Sequence, residues 1–187
     1  MELDEVIEKR RAYRALEDVE ITDEMIEELA ETVKLSASCF NNQPWNFVFV
    51  DDKKRLNKLD QAMMQGNEWT QKASLIIGVF SKADDDCEVQ ERVYHLFDTG
   101  MGSAFLQLKA TELGLVAHPI AGFDEEKAKE VMNIPEDYEL ITLIIVGKHS
   151  DSPEKNDLLN ESQIETEKKR PKRKDLEGFV HRNKYKE

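Results

Sequence analysis

The apolar run from Leu140 to Val146, which reads LITLIIV, is the feature that most constrains the fold of this chain. β-branched residues favour extended backbone, and an almost unbroken apolar stretch of this length is typical of a strand that is covered on both faces. Shorter stretches predict further strands near Phe47–Val50, Leu75–Phe80 and Leu115–Ala117. The sequence therefore predicts a sheet with residues 140–146 at its centre.

Helices are predicted between these strands from apolar residues at helical spacing. They are a short N-terminal helix ending at Arg10, one from an N-cap at Thr22 to about Leu35, one through Leu56, Leu59 and Met63, the longest from about Val89 to Leu113, and one over Glu125–Met132, ended by Pro135. The longest helix carries a wide apolar stripe, which predicts burial on several sides: Val93, Leu96, Phe97, Gly100, Met101, Ala104, Phe105 and Leu108. Interspersed helices and strands that need not all be parallel predict an α+β fold.

The length and charge of the chain limit its organisation and partners. At 187 residues it fits one domain, and 40% apolar residues can build a core. We expect residues 1–150 to form this core and the charge-rich residues 151–187 to extend from it within the same domain. A formal net charge of -13 argues against general binding to nucleic acid or to anionic membranes, because like charges repel. No apolar run approaches membrane-spanning length.

The cysteine and histidine patterns bear on location and metal binding. Only two cysteines occur, Cys39 and Cys87, and the N-terminus lacks the basic end and apolar run of a signal peptide. These features predict a cytoplasmic protein with reduced thiols and no disulfide. The four histidines have no metal-ligand spacing with either cysteine, so no metal site is predicted.

Two polar motifs stand at the edges of predicted elements. Arg10–Arg14, which reads RRAYR, places three guanidiniums in five residues. Guanidiniums recognise phosphate groups and carbonyl edges through several planar donors. Asn41–Trp45, which reads NNQPW, offers amides directly before the strand near Phe47. Together the motifs predict a site for a flat, polar-edged ligand that carries a phosphate.

Two further segments complete a family pattern. Pro119–Asp124 reads PIAGFD, and Lys168–Lys174 contains six cations in seven residues and leads into a leucine-containing tail up to Glu177. In this order and spacing, the segments resemble the nitroreductase family of FMN-dependent oxidoreductases, and the resemblance covers nearly the whole chain. It implies a central, mostly antiparallel sheet wrapped by helices, in an intertwined homodimer whose C-terminal segments extend onto the partner subunit.

The resemblance also implies roles for the basic residues. Arg10 would lie at the FMN phosphate, together with Arg173 and with Lys172 or Lys174 as alternatives, and Arg11 is a further cofactor-binding residue. Arg14 would face the N1 and O2 edge of the flavin, where a fixed cation stabilises the negative charge that reduction creates. Ala12 stands where the family commonly has serine, so one hydroxyl contact is absent.

Other positions would surround the flavin ring. The resemblance implies that one loop reaches FMN from the second subunit, through Ala37, Ser38, Cys39 and Asn41. Phe40 replaces a small residue and would line or narrow the substrate face. Asn67 is a candidate for a contact with the flavin edge. The backbone of Pro119, Ile120, Ala121 and Gly122 would lie beside flavin N5, with an amide of Ala121 or Gly122 as the donor.

These assignments predict a flavoprotein that passes hydride from NADH or NADPH through flavin N5 to a nitroaromatic, a quinone or a similar small acceptor in a ping-pong scheme. No side chain is expected to act as a catalytic acid, base or nucleophile. Two alternatives stay open: a specialised flavin enzyme of the same fold, such as a dehalogenase or a flavin-cleaving enzyme, and a non-catalytic regulatory module that binds anions through the basic tail. From the residues alone, the arginines could instead cap helix carbonyls, residues 119–122 could form an ordinary turn, and the basic run could be a solvated tail.

Overall fold

The sheet is built around one long strand. In a computed structural model that describes residues 1–185, this strand, β7, runs from Glu139 to His149. The other strands are β1 (Leu16–Glu17), β2 (Asn46–Val50), β3 (Leu75–Ser81), β4 (Glu88–Val89), β5 (Arg92–Val93) and β6 (Val116–Ile120). The helices are α1 (Leu3–Lys9), α2 (Asp23–Lys34), α3 (Lys53–Asp60), α4 (His95–Glu112), α5 (Glu125–Met132) and α6 (Glu161–Lys168). Lys186 and Glu187, the end of the predicted extension 151–187, lie outside the described residues.

The pairing of β7 confirms the predicted central strand and the mostly antiparallel sheet. β7 pairs antiparallel with β3 and β6 and, near its end, with β1, while β3 pairs antiparallel with β2. All four residues from Leu143 to Val146 are 0% exposed. Because successive side chains of a strand point to opposite faces, this burial shows that both faces are covered.

A different hydrophobic cluster covers each face of the sheet. On one face, Ile144 and Val146 pack with Leu29 and Val33 of α2 and with Leu106 of α4. On the other, residues of β3, β6 and β7 pack with side chains from three surrounding elements: Leu59, Trp69, Ala128 and Met132. The chain thus has the predicted α+β architecture, with helices on both sides of the sheet.

The predicted helix ends agree with the structure at some positions and are wrong at others. α1 ends at Lys9 with Arg10 as its C-cap, and the Thr22 side chain accepts the amide N–H of Met25 at the start of α2, as predicted. The turn after α3 leaves Met63 outside the helix. α5 ends at Met132, as predicted, but its C-cap Asn133, in the left-handed conformation with φ of 56°, ends the helix before Pro135 is reached.

The longest helix is shorter than predicted, and its apolar stripe is not buried. Residues 88–93 form the β4–β5 hairpin, since Gln90 and Glu91 take positive φ values, as a tight hairpin turn requires. Phe97 is 63% and Phe105 40% exposed, and the residues of α4 that are buried within the chain include Gly102 and Leu106. α4 is apolar on both sides, so its periodicity could not indicate which side its own chain covers.

The predicted absence of a disulfide is wrong. Cys39 and Cys87 are joined by one, with their Cα atoms 6.1 Å apart although 48 residues separate them in sequence. The spacing of the two cysteines in the sequence does not show that they lie close together. They meet because the loop after α2 and the segment before β4 both reach the start of α4. The cytoplasmic location was predicted partly from reduced thiols, and the disulfide removes that argument. Within residues 1–185, no helix has the length and apolar character needed to cross a membrane.

Candidate functional site

A basic cavity of about 260 Å³ lies between the segment after α1 and the segment after α6. It is lined by Arg10, Arg11, Ala12, Arg14, Thr166, Arg170, Pro171 and Arg173, none of which is acidic. Burial, followed by the charges of Arg170 and Arg173, lowers the pKa of Arg10. Cations held this close repel one another, and a bound anion would relieve that repulsion. The cavity therefore suits a phosphate group.

A buried carboxylate holds the arginine segment in place. The side chain of Glu167, in α6, is 2% exposed and accepts hydrogen bonds from the backbone N–H groups of Arg14 at 2.9 Å and Ala15 at 3.4 Å. His149 Nε2 lies 3.4 Å from the same carboxylate, and the His149 ring stacks on Tyr13. Glu167 thus fixes the backbone from which Arg14 projects.

Further contacts join the two walls of the cavity. Arg11 donates to the carbonyl of Thr166 at 2.7 Å, and Arg14 Nη1 lies 3.5 Å from the Thr166 hydroxyl. Arg170 donates to the carbonyls of Glu8 and Arg10. The C-terminal part of the chain up to Arg173 therefore packs against the N-terminal part of the same chain.

A second cluster surrounds the turn after β6. Asn67 donates from Nδ2 to the carbonyl of Gly122 at 2.8 Å, and Trp69 Nε1 donates to Asn67 Oδ1 at 3.3 Å. A Cβ atom at Gly122 would lie 2.6 Å from Asn67 Nδ2, so a side chain at this position would displace Asn67 from its hydrogen bond. Within residues 1–185, the amide N–H groups of Ala121 and Gly122 donate no backbone hydrogen bond. Donors are thus available at the edge of this turn.

His118 in β6 connects the turn to the arginine segment. Its Nδ1–H donates to the carbonyl of Tyr13 at 3.0 Å, and its ring stacks on that of Trp69 with the centroids 4.8 Å apart. Burial above all, together with the charges of Arg14 and Arg10, lowers the pKa of His118 to about 4, against the opposing effect of the Tyr13 hydrogen bond. The ring is therefore neutral near pH 7. From α6, Gln163 donates to the carbonyl of Gly66 at 2.8 Å, next to Asn67.

The loop with Ala37, Ser38, Cys39 and Asn41 lies apart from both clusters. Phe40 and Asn41 have φ values of 50° and 60°, the Ser38 hydroxyl accepts the N–H of Gln43, and Phe40 is 84% exposed. No hydrogen bond between described residues joins this loop to the basic cavity or to Gly122. One chain thus brings together the predicted residues of the arginine motif, Arg173, Asn67 and residues 119–122, and leaves the loop separate.

The sequence did not identify several residues that shape this site. Thr166, Glu167 and Arg170 line or hold the cavity, and His118 links its two halves. Only the basic run Lys168–Lys174 gave a signal in the sequence. It marked this segment as a candidate but did not show which of its cations face the cavity. Of the three cations that were candidates, Arg173 lines the cavity and Lys172 and Lys174 do not.

Comparisons with known proteins identify the family. A sequence model described as "Nitroreductase family" matches residues 7–83 and 66–148. The Bacillus subtilis protein named "Putative NAD(P)H nitroreductase MhqN" is 28% identical over 177 residues, which cover 76% of this chain and 86% of that protein. The structure of a nitroreductase family protein from Clostridium novyi NT aligns with a TM-score of 0.76 and 26% identity over 84% of this chain and 90% of that one. An oxidoreductase containing FMN shares the fold, with a TM-score of 0.83 and 22% identity over 97% of this chain and 91% of that one. Since the family model spans most of the residues that form the sheet and the site, the chain belongs to the nitroreductase family.

Proposed function

We propose that this protein is an FMN-dependent oxidoreductase that takes hydride from NADH or NADPH and passes it to a small acceptor such as a nitroaromatic or a quinone. The observation that carries the proposal is the arginine cavity joined to the Gly122 turn through His118. The family membership and the FMN in a protein of the same fold support it, and the name of the Bacillus subtilis relative supports a nicotinamide donor.

The cavity fits the phosphate end of FMN. Five of its eight lining residues are arginines, and the lowered pKa of Arg10 reflects both its burial and the proximity of like charge. Arg10, Arg170 and Arg173 would hold the phosphate, with Arg11 beside them. Ala12 adds no hydroxyl, so the contact must come from guanidiniums and backbone groups.

The protein groups next to the ring would supply position and charge. Bound FMN would supply a hydride acceptor and donor at N5. Arg14, held by Glu167, would place a cation at the pyrimidine edge, where it favours the reduced, anionic ring. The N–H groups of Ala121 and Gly122 would be directed at N5, and Asn67 would fix the carbonyl of that turn. None of these roles requires a side chain to accept or release a proton.

A homodimer would complete the site. No hydrogen bond between described residues joins the loop from Ala37 to Asn41 to either cluster of its own chain, so this loop can serve a flavin bound mainly by a second subunit. The exposed apolar side chains of α4, including Phe97 and Phe105, support such an interface. Phe40, which is exposed in one chain, would then lie over the substrate face and limit the size of the acceptor. The donor would leave before the acceptor enters, as in a ping-pong scheme.

The absorbance spectrum of the purified protein, recorded before and after anaerobic addition of NADH or NADPH, tests cofactor and donor together. We expect a flavin spectrum that bleaches on reduction. A colourless protein that cannot be reconstituted with FMN would refute the proposal.

A matched pair of variants tests the cavity. Arg173→Ala should weaken FMN binding by about tenfold or more, because a charge-assisted hydrogen bond contributes roughly 1.5–3 kcal/mol. Lys172→Ala, which removes a neighbouring cation that does not line the cavity, should change the dissociation constant little. Equal losses in the two variants would show that the basic run acts only through its overall charge.

A further inference from the structure

Cys39, Asp86 and Cys87 converge at the start of α4. One ligand-type atom from each, the two Sγ atoms and a carboxylate oxygen of Asp86, lie within 4.8 Å of one another. Cys39 comes from the loop after α2, and the other two residues precede β4, so the fold itself brings two separate segments together. In this structure the two sulfurs form the disulfide described above.

Two carboxyl groups adjoin the sulfurs, and the disulfide does not account for them. Asp98 in α4 is 1% exposed and accepts the N–H of Cys39 at 2.6 Å. Asp86 accepts the N–H of Cys87 at 2.8 Å through Oδ1, whereas its Oδ2 is buried and has no hydrogen-bond partner in the described chain. A buried carboxylate oxygen without a donor or a cation beside it is costly, so the unpartnered oxygen of Asp86 calls for an explanation.

We propose that the reduced form of this cluster binds one thiophilic divalent cation, such as Zn²⁺, through Cys39 Sγ, Cys87 Sγ and the unpartnered carboxylate oxygen of Asp86. Two thiolates and a carboxylate are a donor set that zinc accepts, and three protein ligands leave a fourth position open. Asp98 would hold Cys39 in place through its amide. This site departs from the sequence-based prediction that the chain has no metal centre.

The sulfurs of Cys39 and Cys87 can form the disulfide or bind a metal ion, but they cannot do both at once. Ligands about 2.3 Å from one tetrahedral ion lie roughly 3.7 Å apart, so the S–S bond must break before the sulfurs can share a metal. A phosphine supplies the two electrons: the S–S bond breaks, two thiols form, and the phosphine is oxidised with oxygen taken from water. The cation then displaces the thiol protons. Both the disulfide and the metal complex would link the loop that carries Phe40 to the segment before β4.

The experiment uses Co²⁺ as a spectroscopic probe for the full-length protein. The protein is reduced with a phosphine without oxygen, its free thiols are counted by alkylation and mass spectrometry, and Co²⁺ is titrated with Zn²⁺ as competitor. We expect a saturable thiolate-to-cobalt absorption band at one ion per chain, which is lost on addition of Zn²⁺ and absent from the oxidised protein. Reduced protein that shows no such band would overturn the inference.

Variants separate this site from adventitious binding. Asp86→Asn keeps both thiols and the side-chain shape, and should weaken Co²⁺ binding by on the order of tenfold or more. Asp84→Asn, at an exposed carboxylate two residues earlier, is the control and should bind like the wild type. Cys39→Ser should abolish the band while circular dichroism verifies the fold. Equal affinities for Asp86→Asn and Asp84→Asn would contradict the assignment, whatever Cys39→Ser does. The inference does not depend on FMN, so its failure would leave the proposed function untouched.

Discussion

His118 should make the stability of this protein depend on pH. The neutral ring donates Nδ1–H to the carbonyl of Tyr13 and packs on Trp69, and protonation would place a charge at a buried Nε2 near Arg14. The pKa falls from 6.5 to about 4 on folding. Between these values the unfolded chain binds a proton at His118 and the folded chain does not. The stabilisation from the neutral ring is therefore complete above pH 6.5 and is lost as the pH falls toward 4.

The size of the effect follows from the shift. A lowering from 6.5 to about 4 is about 2.5 units. At about 1.36 kcal/mol per unit, the free energy of unfolding should decrease by roughly 3 kcal/mol from this residue alone between neutral pH and pH 4. The residue is only 7% exposed, so solvent screening does not reduce this figure much.

His118→Asn isolates the contribution. The Asn amide can still donate to the Tyr13 carbonyl but does not titrate in this range. We expect the variant to be less stable than the wild type at pH 7, because packing on Trp69 is lost, and the gap between them to close by about 3 kcal/mol at pH 4. Urea titrations of the two apoproteins, at one fixed protein concentration and at each pH, measure the free energies of unfolding of the wild type and the variant. A gap that stays constant across this pH range would refute the account of His118.

Three further outcomes are expected. Glu167→Gln should lower the free energy of unfolding by about 1.5–3 kcal/mol and weaken FMN binding, since two backbone N–H groups lose a charged acceptor; unchanged values in urea unfolding and flavin titration would remove Glu167 from its proposed role. Arg14→Gln should lower the flavin midpoint potential, by roughly 30 mV for each 1.4 kcal/mol lost, and a spectroelectrochemical titration that shows a fixed or higher potential would contradict a position at the pyrimidine edge. Truncation after Lys174 removes Leu176 and Phe179, which are exposed in one chain, and should weaken the dimer in light scattering while the cavity still binds FMN; an unchanged dimer would show that this tail does not hold the partner.

The sequence predicted best those features that local patterns determine. The strand at 140–146, the Thr22 cap and the helix over Glu125–Met132 depend on propensity, periodicity and capping within a few residues. The arginine motif was visible for a similar reason, because several guanidiniums in one short segment of an acidic chain are chemically unusual.

Features that depend on distant segments could not be predicted in this way. Glu167 looks like any surface acid of a helix, and only the fold shows it buried against the N–H of Arg14. The Cys39–Cys87 pair depends on a separation of 48 residues that no local pattern encodes. The apolar stripe of α4 was recognised, but its periodicity cannot tell a surface buried within the chain from one left exposed, as Phe97 is.

The basic cavity joins two parts of the chain that are synthesised at different times. Arg11 and Thr166, which meet across it, are separated by 155 residues. A nascent chain that has emerged from the ribosome only as far as β7 can fold its sheet but has just the first wall of the cavity. If the proposed FMN site is correct, the cofactor would bind only after the segment with Arg170 and Arg173 has been translated, so that the newly made sheet would first exist without it.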